Sequence, residues 1–143
     1  MAHRILPAAE AHWRPSNQMG IDHTDLGRQL AARSLGARLW RLRPGQASTR
    51  HRHLSQEEIY LLLEGTGRVR VDEDLLTLGP LDSLLVGPDS IRQIFNDTKA
   101  DQLWLVAGAP PEGANTLEMS EEQLKALYPD GPKALPPELS SAD

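Results

Sequence analysis

A chain of 143 residues with a formal net charge of −5 argues against a nucleic-acid or anionic-membrane partner, which would want a basic face. It contains no cysteine, which excludes disulfides, thiolate metal sites and a thiol nucleophile. The length suits one domain, no apolar run approaches a membrane span, and MAHRILPAAEAHWRPS has no signal-peptide h-region, so the cytoplasm is the expected compartment.

Residues 1–33 show no sustained period. Pro7, Pro15 and Gly20 interrupt them, and they read as an N-terminal arm with one short strand near Ile5 and another around 17–22. From residue 34 the pattern changes. GARLWRLRPG alternates, putting Leu39 and Trp40 on opposite faces before the Pro44-Gly45 turn. EEIYLLLEG, the Gly65-Thr66-Gly67 connection and RVRVDED together read as a β-hairpin, with Val69 and Val71 facing away from Arg68 and Arg70. LLTLG, DSLLVGP, IRQIFND and DQLWLVAGAP follow, separated by Gly, Pro, Asn and Asp. Short strands at such spacing predict an all-β sandwich or barrel, here over residues 34–110.

One helix is predicted in the segment 111–128. Ser120 and Gln123 have capping-box spacing, Met119 and Leu124 are placed as a hydrophobic staple, and Leu124, Leu127 and Tyr128 form an apolar stripe. Pro129 ends it, and residues 129–143, rich in Pro and Ser, read as a flexible tail. The arginines Arg38, Arg41, Arg43, Arg50, Arg52, Arg68, Arg70 and Arg92 all fall in the central segment and read as a solvated exterior rather than an anion-binding surface.

The chemistry concentrates in RHRHLSQEEIYLLLEG. His51 and His53 project from one face of an extended segment, about 7 Å apart. Glu58 shares parity with Tyr60 on the next strand, while Glu57 takes the solvated side. Two neutral imidazoles and one carboxylate with open positions suit divalent iron, manganese, nickel or zinc.

The spacing Gly45, His51-x-His53, Glu58, Gly65 resembles the first motif of the cupin superfamily. LDSLLVGPDSIRQIFN resembles its second motif, from Asp82 through Gly87-Pro88 to Asn96. The two motifs cover residues 45–96, and flanking strands at 35–43 and 102–108 complete the resemblance. It implies an antiparallel jelly-roll β-barrel, often a homodimer, whose interior hosts a metal and a small molecule. The family's functions range from dioxygenases, isomerases, decarboxylases and lyases to non-catalytic sensing, so the fold does not select among them.

One position departs from the pattern. Where the second motif supplies a third histidine, this chain has Arg92, a permanently protonated side chain with no lone pair to offer a metal. At 5 Å and an effective dielectric of about 20, its repulsion with a dication is roughly 6–7 kcal/mol before rearrangement. Three arrangements are compatible with the residues. His51, His53 and Glu58 hold a metal while Arg92 binds an anionic ligand; or Arg92 pairs with Glu58 in a metal-free barrel; or His23 replaces the missing ligand. Tyr60 and Ile94 are pocket wall, and Asn96 fixes a turn. The functional expectation is a metal-dependent enzyme of oxygenase or isomerase type, or a non-catalytic small-molecule-binding or sensing module.

Overall fold

The computed structural model describes residues 3–112 and 116–140. The alternating segments form nine strands: β1 (Trp13–Pro15), β2 (Asp22–Asp25), β3 (Gly36–Leu42), β4 (Glu57–Glu64), β5 (Gly67–Val71), β6 (Asp74–Leu78), β7 (Ser83–Val86), β8 (Arg92–Phe95) and β9 (Gln102–Ala109). Helical turns α1 (Leu26–Gln29) and α3 (Pro137–Ser140) flank the set, and α2 (Glu121–Leu127) is the expected C-terminal helix. All strand pairs are antiparallel. They build a six-stranded sheet, β1-β2-β3-β9-β4-β7, and a three-stranded sheet, β6-β5-β8.

The barrel is not closed. Between β3 and β4 the chain runs along β8 through single bridges, Ala47 with Phe95 and His51 with Arg92, instead of a continuous ladder. The inner faces meet in an aliphatic core with one large aromatic: Leu42, Leu62, Val69 and Trp104 are each fully buried. Trp104 Nε1 donates to Gln102 Oε1, and Asn96 Nδ2 donates to Leu42 O and Ala100 O, fixing the turn before β9 as its side chain predicts.

Three sequence expectations require correction. The strand near Ile5 is absent, and residues 17–19 are a turn. The strands lie at 13–15 and 22–25 instead, joining the edge of the six-stranded sheet. The predicted hairpin at Gly65–Gly67 is a crossover, because β4 and β5 belong to different sheets. The hairpin is β5–β6, where Val71 opposes Asp74 and Asp72 takes the positive φ. The two glycines serve close approach. Gly65 has φ +88°, and a Cβ there would lie 2.4 Å from Asp101 O; a Cβ on Gly67 would lie 2.6 Å from the Trp104 ring.

The capping box of α2 forms as expected: Gln123 N donates to Ser120 Oγ and Ser120 N to Gln123 Oε1. The expected flexible tail lies against the smaller sheet over its described part. There Gln93 Nε2 donates to Ala134 O, and Arg70 pairs with Glu138.

Candidate metal centre

Backbone pairing between two segments aims the histidines. His51 N donates to Arg92 O at 3.0 Å, Arg92 N to His51 O at 2.8 Å, and His53 N to Pro88 O at 2.9 Å. This holds the His51–His53 segment extended, so both rings leave on one side and meet edge to face with centroids 5.0 Å apart. Glu58 enters from β4. The alternation read in the sequence holds here, with Glu58, Tyr60 and Leu62 inward and Glu57 and Ile59 exposed.

One donor atom each from His51, His53 and Glu58 lies within 4.8 Å of the others. The polar groups converge on a single oxygen, Glu58 Oε1. The Tyr60 hydroxyl donates to it at 2.8 Å, His53 Nε2 lies at 3.2 Å, Arg92 Nε at 3.6 Å and His51 Nε2 at 3.8 Å. Burial raises the Glu58 pKa, but the His51 and His53 rings beside it, when protonated towards the carboxylate, outweigh burial and hold the carboxyl well below the usual range. Tyr60 is pushed up by burial and by the neighbouring carboxylate, so it remains a phenol that donates.

The far side of each ring decides what the near side can do. His51 Nδ1 lies 3.0 Å from Thr49 O, and His53 Nδ1 lies 3.1 Å from Glu112 Oε2. Both oxygens only accept, so each Nδ1 carries a proton, and a ring with no second proton turns its Nε2 lone pair towards Glu58. His53 Nε2 is buried and makes no hydrogen bond. A lone pair facing a carboxylate at 3.2 Å is repulsive until a cation or a proton lies between them. Anchored Nδ1 atoms behind convergent Nε2 atoms are the outer-shell arrangement of metal-ligating histidines, so the donor set fits a divalent ion.

Glu112 is the residue that sequence reasoning missed. It follows β9 and accepts from the backbone of Leu54, Ser55 and Gln56 as well as from the Ser55 hydroxyl. Burial raises its pKa, but those three backbone N–H groups lower it more, to about 2. No spacing rule links position 112 to the HxH pair, so its signal is purely tertiary.

Of the two roles open to Arg92, the geometry brings it beside Glu58, and it is not among the residues that line the cavity. It is fully buried, and its terminal nitrogens donate to Ser90 O and Gly87 O at 2.9 Å and to Pro88 O and Val86 O at 3.3 Å. Only Nε faces Glu58, and it makes no hydrogen bond. The terminal nitrogens therefore tie down the β7–β8 loop, and Nε is the part of the guanidinium left facing Glu58. The reading of the central arginines as exterior changes for Arg92, which lies in the interior. His23 is not brought to the triad. Register carries it through Trp40 and Trp104 to Leu62, three strand spacings or about 14 Å away, and its ring stacks on Trp40 at 4.6 Å.

The triad lies in the wall of a cavity of about 880 Å³ that also takes in Tyr60, Gln56, Trp40 and Tyr128. The side opposite Glu58 is spacious because Gly36 and Gly108 occupy the inward positions beside it in register. Gln56 covers both glycines: a Cβ on Gly108 would lie 2.8 Å from its side chain.

Residues 38–108 match the family model described as a cupin domain. No curated protein sequence matches the chain. Among solved structures, a sugar phosphate isomerase of the cupin superfamily from Silicibacter pomeroyi is 25% identical, with TM-score 0.68 over 76% of each chain. A cupin protein from Bacteroides fragilis is 22% identical, with TM-score 0.64 over 84% of this chain and 97% of its own. A structure described as a predicted oxalate decarboxylase from Thermotoga maritima is 18% identical, with TM-score 0.65 over 74% and 98%. The last two likenesses concern the fold alone.

Proposed function

This chain belongs to the cupin superfamily, and from that premise we propose that it is a metal-dependent enzyme of isomerase type acting on a small, oxygen-rich, anionic substrate. His51, His53 and Glu58 would hold the divalent ion. The observation that carries this reading is the buried, unpartnered Nε2 of His53, whose Nδ1 is fixed by Glu112 and which faces Glu58.

A bound divalent ion supplies Lewis-acid polarisation of a substrate carbonyl or hydroxyl oxygen. The protein's own groups do the rest. Glu112 and the Thr49 carbonyl fix the tautomer and orientation of the two rings. Tyr60 holds Glu58 Oε1 through its hydroxyl and stays protonated, so the carboxylate keeps one orientation. Gln56 and Tyr128 form part of the cavity wall. Isomerase rather than oxygenase chemistry is favoured by the Silicibacter pomeroyi likeness, the one at 25% identity.

A second reading, a metal-free binding cupin, is supported by Arg92 Nε at 3.6 Å from Glu58, which offsets the buried carboxylate without an ion. Metal analysis of protein purified without chelator or nickel resin, followed by titration with iron, manganese and zinc, separates the two. Near one equivalent supports the enzyme. Less than a tenth of an equivalent after excess metal removes it.

Pairing of two copies belongs to the same reading. Ile59 and Leu85 lie opposite each other on the outer face of the larger sheet, 50% and 58% exposed, and would be covered in a homodimer. Among the described residues no helix is long and apolar enough to cross a membrane.

A further inference from the structure

The wall of the cavity facing Glu58 carries charge of the opposite sign. In register, Arg38 of β3 lies beside Val106 of β9, and Val106 beside Tyr60 of β4. Residues so aligned leave a sheet on one face, and Tyr60 and Val106 both line the cavity, as Arg38 does. The next row places Arg14 beside His23 and His23 beside Trp40. Arg14, Arg28 and Arg38 line this side, and Asp25 is the carboxylate among them, 3.3 Å from Arg38. The remaining acids of the cavity, Glu58, Glu112 and Glu118, come from other segments.

The field of Arg38 reaches both sides. His23, 2% exposed, has its pKa lowered by burial and then by the charges of Arg38 and Arg14. Across the cavity Tyr128, 6.2 Å from the His51 ring, feels Arg38 against the upward push of its own burial. The guanidinium also lies 5.9 Å from the Trp40 ring centroid, which preorganises it.

We propose that Arg38, with Arg14 at the exposed rim, forms the anion-recognition pole of this cavity and takes the phosphate of a phosphorylated polyhydroxy substrate. The substrate's other end faces His51, His53 and Glu58, so the assignment deepens the metal-site reading and rests on it for that end alone. Phosphate fits better than carboxylate. The two arginines stand two strands across and two residues along from each other, about 12 Å between Cα atoms, and approach from different directions, which suits a tetrahedral group more than a planar fork. From Arg38 to Glu58 is two strands across and two residues along, about 12 Å between Cα atoms. Long side chains on both sides reduce that to the length of a small sugar.

The test is calorimetric titration of inorganic phosphate into chelator-treated protein, so that binding through a metal does not contribute. Saturable binding is expected for the wild type, at least tenfold weaker for Arg38→Gln and about threefold weaker for Arg14→Gln. Arg43→Gln should leave it unchanged, because Arg43 is outside the cavity, 56% exposed and paired with Asp22. Should Arg38→Gln fail to fold, Arg38→Lys is expected to lose threefold or more, since it keeps the charge and loses the guanidinium fork. Absence of saturable binding, equal losses in Arg38→Gln and Arg43→Gln, or tighter binding of gluconate than of phosphate overturns the assignment. Zinc added back to the same preparations once the chelator is removed, with its stoichiometry measured, keeps the two readings apart. Arg38-dependent phosphate binding with no zinc bound supports this pole while removing the metal.

Discussion

His53 Nδ1 lies 3.1 Å from Oε2 of Glu112, a carboxylate 59 positions further along the chain, and that contact leaves the opposite ring nitrogen facing Glu58. The relationship joins two properties usually considered apart. The Glu112 carboxylate organises the turn before β4 through three backbone donors, and the same carboxylate sets the tautomer of a metal-facing histidine.

Glu112→Gln should therefore act on binding more than its distance from the triad implies. An amide oxygen retains part of the acceptor capacity but lacks the charge that holds the Nδ1 proton. Zinc affinity is expected to fall about 10–100-fold, as for other outer-shell partners. Stability should fall by about 1–3 kcal/mol through the weakened backbone bonds. Competition against a chromophoric chelator reads the first, and urea unfolding the second. Unchanged zinc affinity would show that the ring needs no anchor.

Acid should erase the contribution of Glu112. Its folded pKa, about 2, is below the ordinary 4.5. A depressed carboxylate stabilises fully above its unfolded pKa and loses that contribution as pH falls through the folded value. The stability gap between wild type and Glu112→Gln is thus expected to be constant from pH 7 to about 5 and to shrink steadily from pH 4 towards 2. Thermal melts of metal-free protein at pH 7, 4 and 3 measure it. A gap that stays constant to pH 3 contradicts the assigned shift.

Which parts of this were legible beforehand follows from the range of the signal. The phase of β4 was readable because period-two alternation is local, and with it the inward Glu58 and Tyr60; the histidine pair was readable from spacing. The connection at Gly65–Gly67 was not, because a glycine needed for a turn and one needed for close approach to Trp104 look identical in sequence. The inward place of Arg92 was readable from the motif, but what its guanidinium bonds was hidden for a related reason. Its partners are backbone carbonyls, which every residue carries, so no partner residue type marks the site. β1 and β2 escaped because strands of three and four residues, one containing a proline, have no measurable period.

The outer sheet face offers a separate test. Ile59→Glu puts a charge at the centre of the exposed Ile59–Leu85 pair without touching the inner face of β4. Sedimentation at micromolar concentration is expected to show a dimer for the wild type and a monomer for the variant, with zinc binding retained. A wild type that sediments as a monomer removes the homodimer.

Arg92 gives the most discriminating pair of variants. In Arg92→Lys, a single ammonium cannot reach four carbonyls spread over residues 86–90, so buried acceptors lose their donors. A loss of about 2–4 kcal/mol in urea unfolding is expected. Arg92→His pays the same structural cost but changes the electrostatics in the other direction. The backbone at 92 pairs directly with that of His51, so an imidazole there starts beside the triad. It removes a fixed positive charge whose Nε is 3.6 Å from Glu58 and adds a neutral nitrogen donor. Zinc affinity should therefore rise by about tenfold or more even as metal-free stability falls, since binding that requires the folded state adds to stability only when the ion is present. Titration of both variants decides it. If Arg92→His binds zinc no better than Arg92→Lys, the arginine is not what limits the site, and the ion is not held between His51, His53 and Glu58 as argued above.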